Sequence, residues 1–130
     1  MELPEFAPGM VARVELTVTD ADTAQAVGSG DVPVLATPRV LALAEAATVA
    51  ATARQIPGGV TTVGTRAEVE HKAPTTVGRT VTATATLAKV DGRRLTFDVV
   101  VRDGERTIAE VRVERTLLDR QRFIEKAQAQ

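Results

Sequence analysis

Residues 37–55, TPRVLALAEAATVAATARQ, read as one helix of roughly five turns at about 3.6 residues per turn. Thr37 is suited to the N-cap and Pro38 to the first helical position, where its missing N–H leaves nothing unpaired. Ile56-Pro57-Gly58-Gly59 ends the segment. Ala, Val and Leu occupy almost every side of it, which predicts a helix buried all round rather than an amphipathic surface helix. Its length and polar positions do not suit a membrane span. One carboxylate, Glu45, stands in the middle, flanked by Leu43, Ala44, Ala46 and Ala47. Burying an unpaired charge is costly, so Glu45 is expected below the surface and paired, protonated or chemically employed.

The rest of the chain is patterned differently. Residues 1–10, with two prolines and a glycine, suggest an extended arm, and Val11–Thr19 alternates like a strand. Residues 20–36 form a long connection containing Gly28-Ser29-Gly30 and Pro33, with a helical turn expected around Ala21–Val27. Connections longer than about 12–15 residues commonly act as lids or binding loops. Four further strands are predicted: Val60–Lys72, Thr80–Val90, Arg94–Arg102 and Arg106–Leu118. Asp91-Gly92 and Asp103-Gly104 are hairpin signals between the last three. The tail, 119–130, is expected as a short polar helix or a frayed end. In the second strand Val63, Thr65, Ala67, Val69 and His71 share one face by simple alternation, with Gly64 on the other.

A sheet with one apolar face must cover something, and only one helix is apolar enough to be covered. The expected architecture is therefore α+β: a five-stranded antiparallel sheet wrapped around one long central helix, the hotdog arrangement, as a single domain over residues 1–130. Such a sheet cannot close alone over one helix, so pairing with a second copy is expected.

Composition excludes several functions. A net charge of −1 argues against a nucleic-acid or anionic-membrane surface, and three phenylalanines with no Tyr or Trp supply no base-stacking platform. No apolar run is long enough to span a bilayer, and the N-terminus lacks the basic and apolar regions of a signal peptide, so a cytoplasmic protein is expected. A single histidine and no cysteine cannot build a tetrahedral zinc site. Gly28-Ser29-Gly30 is neither a dinucleotide fingerprint nor a nucleophile elbow. Thr37, Glu45 and His71 remain, with Gly64 on the strand that carries the histidine.

On the residues alone each of these has two readings. Thr37 is an N-cap or a site residue. Glu45 and His71 are a structural pair, solvated groups, or an acid–base pair in which each tunes the other. Gly64 marks a bulge or the close approach of a ligand.

The combination of Ala36-Thr37, Glu45 in LALAEAA, Thr62-Val63-Gly64-Thr65 and Val69-Glu70-His71 resembles the hotdog-fold acyl-CoA thioesterases, specifically the fluoroacetyl-CoA thioesterase family. Val90-Asp91-Gly92-Arg93-Arg94-Leu95 and Val113-Glu114-Arg115 also fit, so the resemblance covers nearly the whole chain. It implies thioester hydrolysis with Thr37, Glu45 and His71 as the catalytic group and Gly64 as a backbone oxyanion donor. It also implies a homodimer with sites at the interface, and no cofactor beyond the CoA of the substrate. Arg115, on the face of Val111 and Val113, is the expected contact to the CoA phosphates. Family members selective for fluoroacetyl-CoA carry aromatic residues in the lid, whereas Ala26–Leu35, AVGSGDVPVL, has none, which points to a different acyl group. A non-catalytic acyl-CoA binder is the alternative. A hotdog hydratase is a lesser one, because the Asp and His such enzymes place a few residues apart are missing.

Overall fold

The computed structural model describes residues 4–130. Strands β1 (Val11–Thr17), β2 (Val60–His71), β3 (Thr80–Asp91), β4 (Arg94–Asp103) and β5 (Arg106–Asp119) form one antiparallel sheet in the order β1-β3-β4-β5-β2. Both Asp-Gly signals mark two-residue hairpins, closed by the pairs Asp91–Arg94 and Asp103–Arg106. The glycines after these aspartates adopt positive φ (58° and 61°), the backbone region such tight turns require. The inner face alternates as the sequence predicts: Val81, Ala83, Ala85 and Leu87, then Leu95, Phe97, Val99 and Val101, then Ala109, Val111 and Val113, all buried. Phe97 is the largest fully buried side chain. Removing a side chain of that kind from water contributes about 1.5–3 kcal/mol.

Helix α2 (Thr37–Thr52), continued by a 3-10 turn over Ala53–Gln55, lies across this face and packs mainly on β1 and β3. Ala44 and Ala47 of the helix and Ala83 and Ala85 of the sheet are fully buried, small residues where the two layers meet. Two expectations about the helix are corrected. Its N-cap is Ala36, and Thr37 is the first helical residue, because tertiary hydrogen bonds fix where the helix begins. Leu35 N–H donates to Thr75 C=O and Ala36 N–H to Asp22 C=O, holding Ala36 extended (φ −75°, ψ 142°), so that the Arg39 and Val40 N–H groups turn back onto its carbonyl. The helix is also not buried all round. The sheet covers the stripe of Val40, Leu43, Ala44, Ala47, Thr48 and Ala51, while Ala42, Ala46, Val49 and Ala50 form an exposed apolar stripe opposite.

The 20–36 connection is pinned at its base. A 3-10 turn over Asp20–Asp22 leads into the one-turn helix α1 (Ala24–Val27), whose first turn is capped by Thr23 Oγ1 accepting from Ala26 N–H. Bridges between Thr23 and Leu35 and between Val34 and Thr76 tie the base to the sheet side, and Thr23, Ala24, Leu35 and Ala36 are buried. Residues 28–33 form the exposed tip. The N-terminal arm is also anchored. Gly9 N–H donates to Leu87 C=O and Leu87 N–H to Met10 C=O, with Phe6 and Met10 against the core. The tail folds into α3 (Arg120–Gln128), capped by Asp119 accepting from Arg122 N–H.

Asp22 is a buried charge at the base of this connection. Its Oδ2 accepts from Thr19 N–H (2.8 Å) and Thr19 Oγ1 (2.9 Å), and its Oδ1 from Arg39 Nε (3.0 Å). Burial by itself raises the pKa of this carboxyl, but the Thr19 and Arg39 hydrogen bonds outweigh it and hold the group below its ordinary 3.8. A depressed folded pKa stabilises the fold above the unfolded value, and the contribution disappears as pH falls through the folded one. Asp22→Asn is accordingly expected to cost about 1–3 kcal/mol at neutral pH. In thermal melts across a pH series, the gap between the melting temperatures of variant and wild type should narrow below pH 3.8. A gap independent of pH would mean the charge contributes nothing.

Candidate active site

Two polar clusters lie along α2, each at the mouth of its own cavity. At the start of the helix, Thr37 Oγ1 and His71 Nδ1 share a 2.7 Å hydrogen bond. His71 ends β2, opposite Ala109 of β5 and on the helix-facing side with Ala67 and Val69, whose partners Val113 and Val111 are buried. The hydroxyl donates when Nδ1 is unprotonated. Burial holds the imidazole below its ordinary 6.5, opposed by the nearby backbone of Ala73, so the neutral ring that can accept from Thr37 prevails at pH 7. Its Nε2 is buried and has no hydrogen-bond partner among the described residues. A cavity of about 360 Å³ opens beside the pair, walled by Val34, Leu35 and Ala36 and by the lid tip at Ser29–Val32. The only serine of the chain therefore stands at its edge.

The second cluster is centred on Glu45. Its Oε2 accepts from Arg115 Nη1 at 3.0 Å, and its side chain is 39% exposed, so the carboxylate is paired but not deep. That corrects the expectation of a glutamate well below the surface, while the expected polar partner is present. Glu45 sits on the flank between buried Ala44 and exposed Ala46, where the sheet no longer covers the helix. A separate cavity of about 240 Å³ is lined by Glu45, Gly64, Thr65, Arg66 and Ala67.

Gly64 reaches this cluster through a bulge. The β2–β5 register shifts between Gly64 and Arg66, so strict alternation fails there. Thr62 and Gly64, opposite Leu117 and Arg115, join the face of Ala67, Val69 and His71, and Val63 leaves it. A Cβ at Gly64 would collide with Glu45 Oε2. Of the two readings of this glycine the structure bears out the bulge, and the close neighbour of its backbone within the chain is the Glu45 side chain.

The expected Glu45–His71 pair is not formed within the chain. His71 pairs with Thr37, and Glu45 pairs with Arg115. Arg115, expected at the CoA phosphates, is 7% exposed on the inner face of β5, and Thr62 and Glu45 engage its three nitrogens. The apolar phase of Val111, Val113 and Leu117 along β5 is the sequence signal that places position 115 inside.

A helix enclosed on one side by five antiparallel strands in this order defines a hotdog fold, here with a threonine–histidine pair at the start of the helix and a carboxylate midway along it. Residues 18–121 match the family model described as fluoroacetyl-CoA-specific thioesterase. The chain belongs to that family. It is 39% identical over 90 residues to the fluoroacetyl-CoA thioesterase of Streptantibioticus cattleyicolor, a match spanning 69% of this chain and 65% of that protein's length. A solved threonine-to-serine variant of a fluoroacetyl-CoA thioesterase in complex with acetyl-CoA superposes with a TM-score of 0.90. That pair shares 29% identity, over 95% of this chain and 98% of the other. A hot-dog-like protein from Thermanaerovibrio acidaminovorans, 24% identical over 95% of this chain and 92% of its own, has a TM-score of 0.87 and shares the fold.

Proposed function

We propose that the chain hydrolyses an acyl-CoA thioester to the free acid and CoA, with Thr37, Glu45 and His71 as its catalytic groups. The observation that carries this reading is the 2.7 Å Thr37–His71 hydrogen bond beside a lid-walled cavity, a nucleophile and a base already in reach of each other. Thr37 Oγ attacks the thioester carbonyl carbon while His71 Nδ1 takes the hydroxyl proton. The C–S bond then breaks and His71 returns the proton to the departing thiolate, leaving an ester on Thr37. Water attacks that ester, with Glu45 accepting its proton and returning it to the Thr37 oxygen as the C–O bond breaks, so that the free acid is released and Thr37 and Glu45 are regenerated. Attack by Glu45 itself is the competing order of events. The Thr37–His71 bond favours the first, because it supplies the hydroxyl with a base. Charge developing on the carbonyl oxygen is met by the backbone N–H at Gly64.

In this reading the active unit is a homodimer with sites at the interface. The exposed stripe of Ala42, Ala46, Val49 and Ala50 is the surface that a second copy covers. No metal or redox group is required for these steps, and the substrate class suits the cytoplasm. Among the described residues, no helix is long and apolar enough to cross a membrane. The lid stretch Ala26–Leu35 puts no aromatic ring over the cavity, so the acyl group is not selected by fluorine.

A panel of acyl-CoA thioesters assayed for free thiol tests this. Turnover is expected with short acyl groups and without a large preference for fluoroacetyl over acetyl. Binding of the same thioesters by calorimetry with no thiol released would make the protein a binder instead.

A further inference from the structure

Asp22 holds the chain on both sides of Thr37. Its C=O accepts from the N–H of Ala36, just before the threonine, at 2.9 Å, and its Oδ1 accepts from Nε of Arg39, just beyond it, at 3.0 Å. The Arg39 N–H returns to Ala36 C=O (3.0 Å), so both anchors close on the first turn of α2. Asp22 is in turn fixed to the sheet. Its Oδ2 accepts from Thr19 N–H and Thr19 Oγ1. The preceding Val18 is buried, donates its N–H to Arg79 C=O and accepts from Gly78 N–H, in the run that leads into β3. His71 belongs to the same sheet, as the last residue of β2. The 2.7 Å Thr37–His71 bond therefore spans two layers, and its length depends on where α2 lies along its own axis. Packing sets that position loosely, because the layers meet through Ala44, Ala47, Ala83 and Ala85, and contact between small apolar side chains is non-directional. Hydrogen bonds do fix direction and distance. Replacing a buried ion pair by apolar residues of similar volume is often neutral for stability, so what the Asp22–Arg39 pair adds is geometric.

We infer that Asp22 is a positioning residue for acyl transfer to Thr37: with Thr19 and Arg39 it clamps the first turn of α2 to the sheet and holds the Thr37 hydroxyl at hydrogen-bond distance from His71. This rests on the reading of Thr37 as the nucleophile. Asp22 does not line the cavity beside the Thr37–His71 pair, and it acts on the hydroxyl through Ala36 and Arg39.

The test compares Asp22→Ala, Asp22→Asn and Arg39→Met, with kcat, KM and melting temperature measured on each. Asp22→Ala and Arg39→Met should each lower kcat by about 10-fold or more while KM changes less than about threefold, the pattern of a nucleophile and base losing alignment. Asp22→Asn keeps one acceptor oxygen and should retain more of the rate than Asp22→Ala. Adding Arg39→Met to Asp22→Ala should slow the enzyme little further, since the contact is already gone. The chain's one histidine gives a readout that a purely stabilising role would not move. Nitrogen NMR of the imidazole reports the hydrogen bond at Nδ1, at a pH where the ring is neutral and a temperature at which every variant is folded. Thr37→Ala sets the signal of the unbonded ring, and Asp22→Ala and Arg39→Met should shift the wild-type signal toward it. A lower melting temperature with kcat and the imidazole signal unchanged would overturn the inference, leaving Asp22 a stabilising residue only. A fall in kcat with the imidazole signal unmoved, or additive losses in the double variant, would overturn it as well. Arg39→Met leaves the Asp22–Thr19 contacts in place, so it carries the same test even if Asp22→Ala does not fold. A wild type that releases no thiol, with the imidazole signal shifted in the variants, would count against the thioesterase reading and leave the clamp standing.

Discussion

Glu45→Gln and His71→Ala each lower thioesterase turnover by about 10²-fold or more, the scale of a general acid–base group. His71 is expected to show it most directly. Among the described residues of the chain its Nδ1 is the base hydrogen-bonded to the Thr37 hydroxyl, and His71→Ala removes it. The amide of Glu45→Gln keeps the size of the side chain but cannot take a proton from water. Burial lowers the pKa of His71, and the neutral ring is the active form. Activity should therefore persist as pH falls to 6.5 and be lost only as pH passes through the depressed value. Free-thiol release followed from pH 4 to 9 on both variants and the wild type checks this. Full turnover in either variant would remove that residue from the mechanism, and an acid limb above 6.5 would assign the titration to another group.

Mixing Thr37→Ala subunits with Glu45→Gln subunits, each inactive alone, should restore turnover. Thr37 and Glu45 belong to one uninterrupted helix. Eight residues at about 1.5 Å each separate their Cα atoms by roughly 12 Å along the axis. Their cavities have no lining residue in common. Two side chains so placed do not meet on one carbonyl, whereas in the proposed homodimer a two-fold axis beside the exposed helix stripe would bring Thr37 of one copy toward Glu45 of the other. A mixed dimer then holds one doubly impaired site and one intact site, giving about half of wild-type turnover per heterodimer. Native mass spectrometry establishes that subunits have exchanged. Exchange without recovered activity would put both residues in a single chain's site and dismiss the shared one.

Local physics set most of the framework. Alternation along β3, β4 and β5, with an Asp-Gly pair between each, suffices for the hairpins and for the identity of the buried face, because side-chain direction in a strand depends only on parity. The central helix is equally legible from its alanine-rich run between Pro38 and the Pro57-Gly58-Gly59 stop. A lone carboxylate within that run and a lone histidine in phase with an inward face were enough to nominate Glu45 and His71. Tertiary contacts decided the rest. The helix begins at Thr37 rather than after it because the Asp22 carbonyl holds the Ala36 N–H, and that frees the Thr37 hydroxyl for His71. The bulge after Gly64 reverses parity within β2, a change that no alternation rule contains, and it sets Gly64 opposite Arg115 and beside Glu45. Partner choice among Thr37, Glu45, His71 and Arg115 was likewise beyond the sequence. Ion pairs and hydrogen bonds between segments 34 and 70 residues apart depend on how β2 and β5 sit against the helix, and only the folded chain sets that distance.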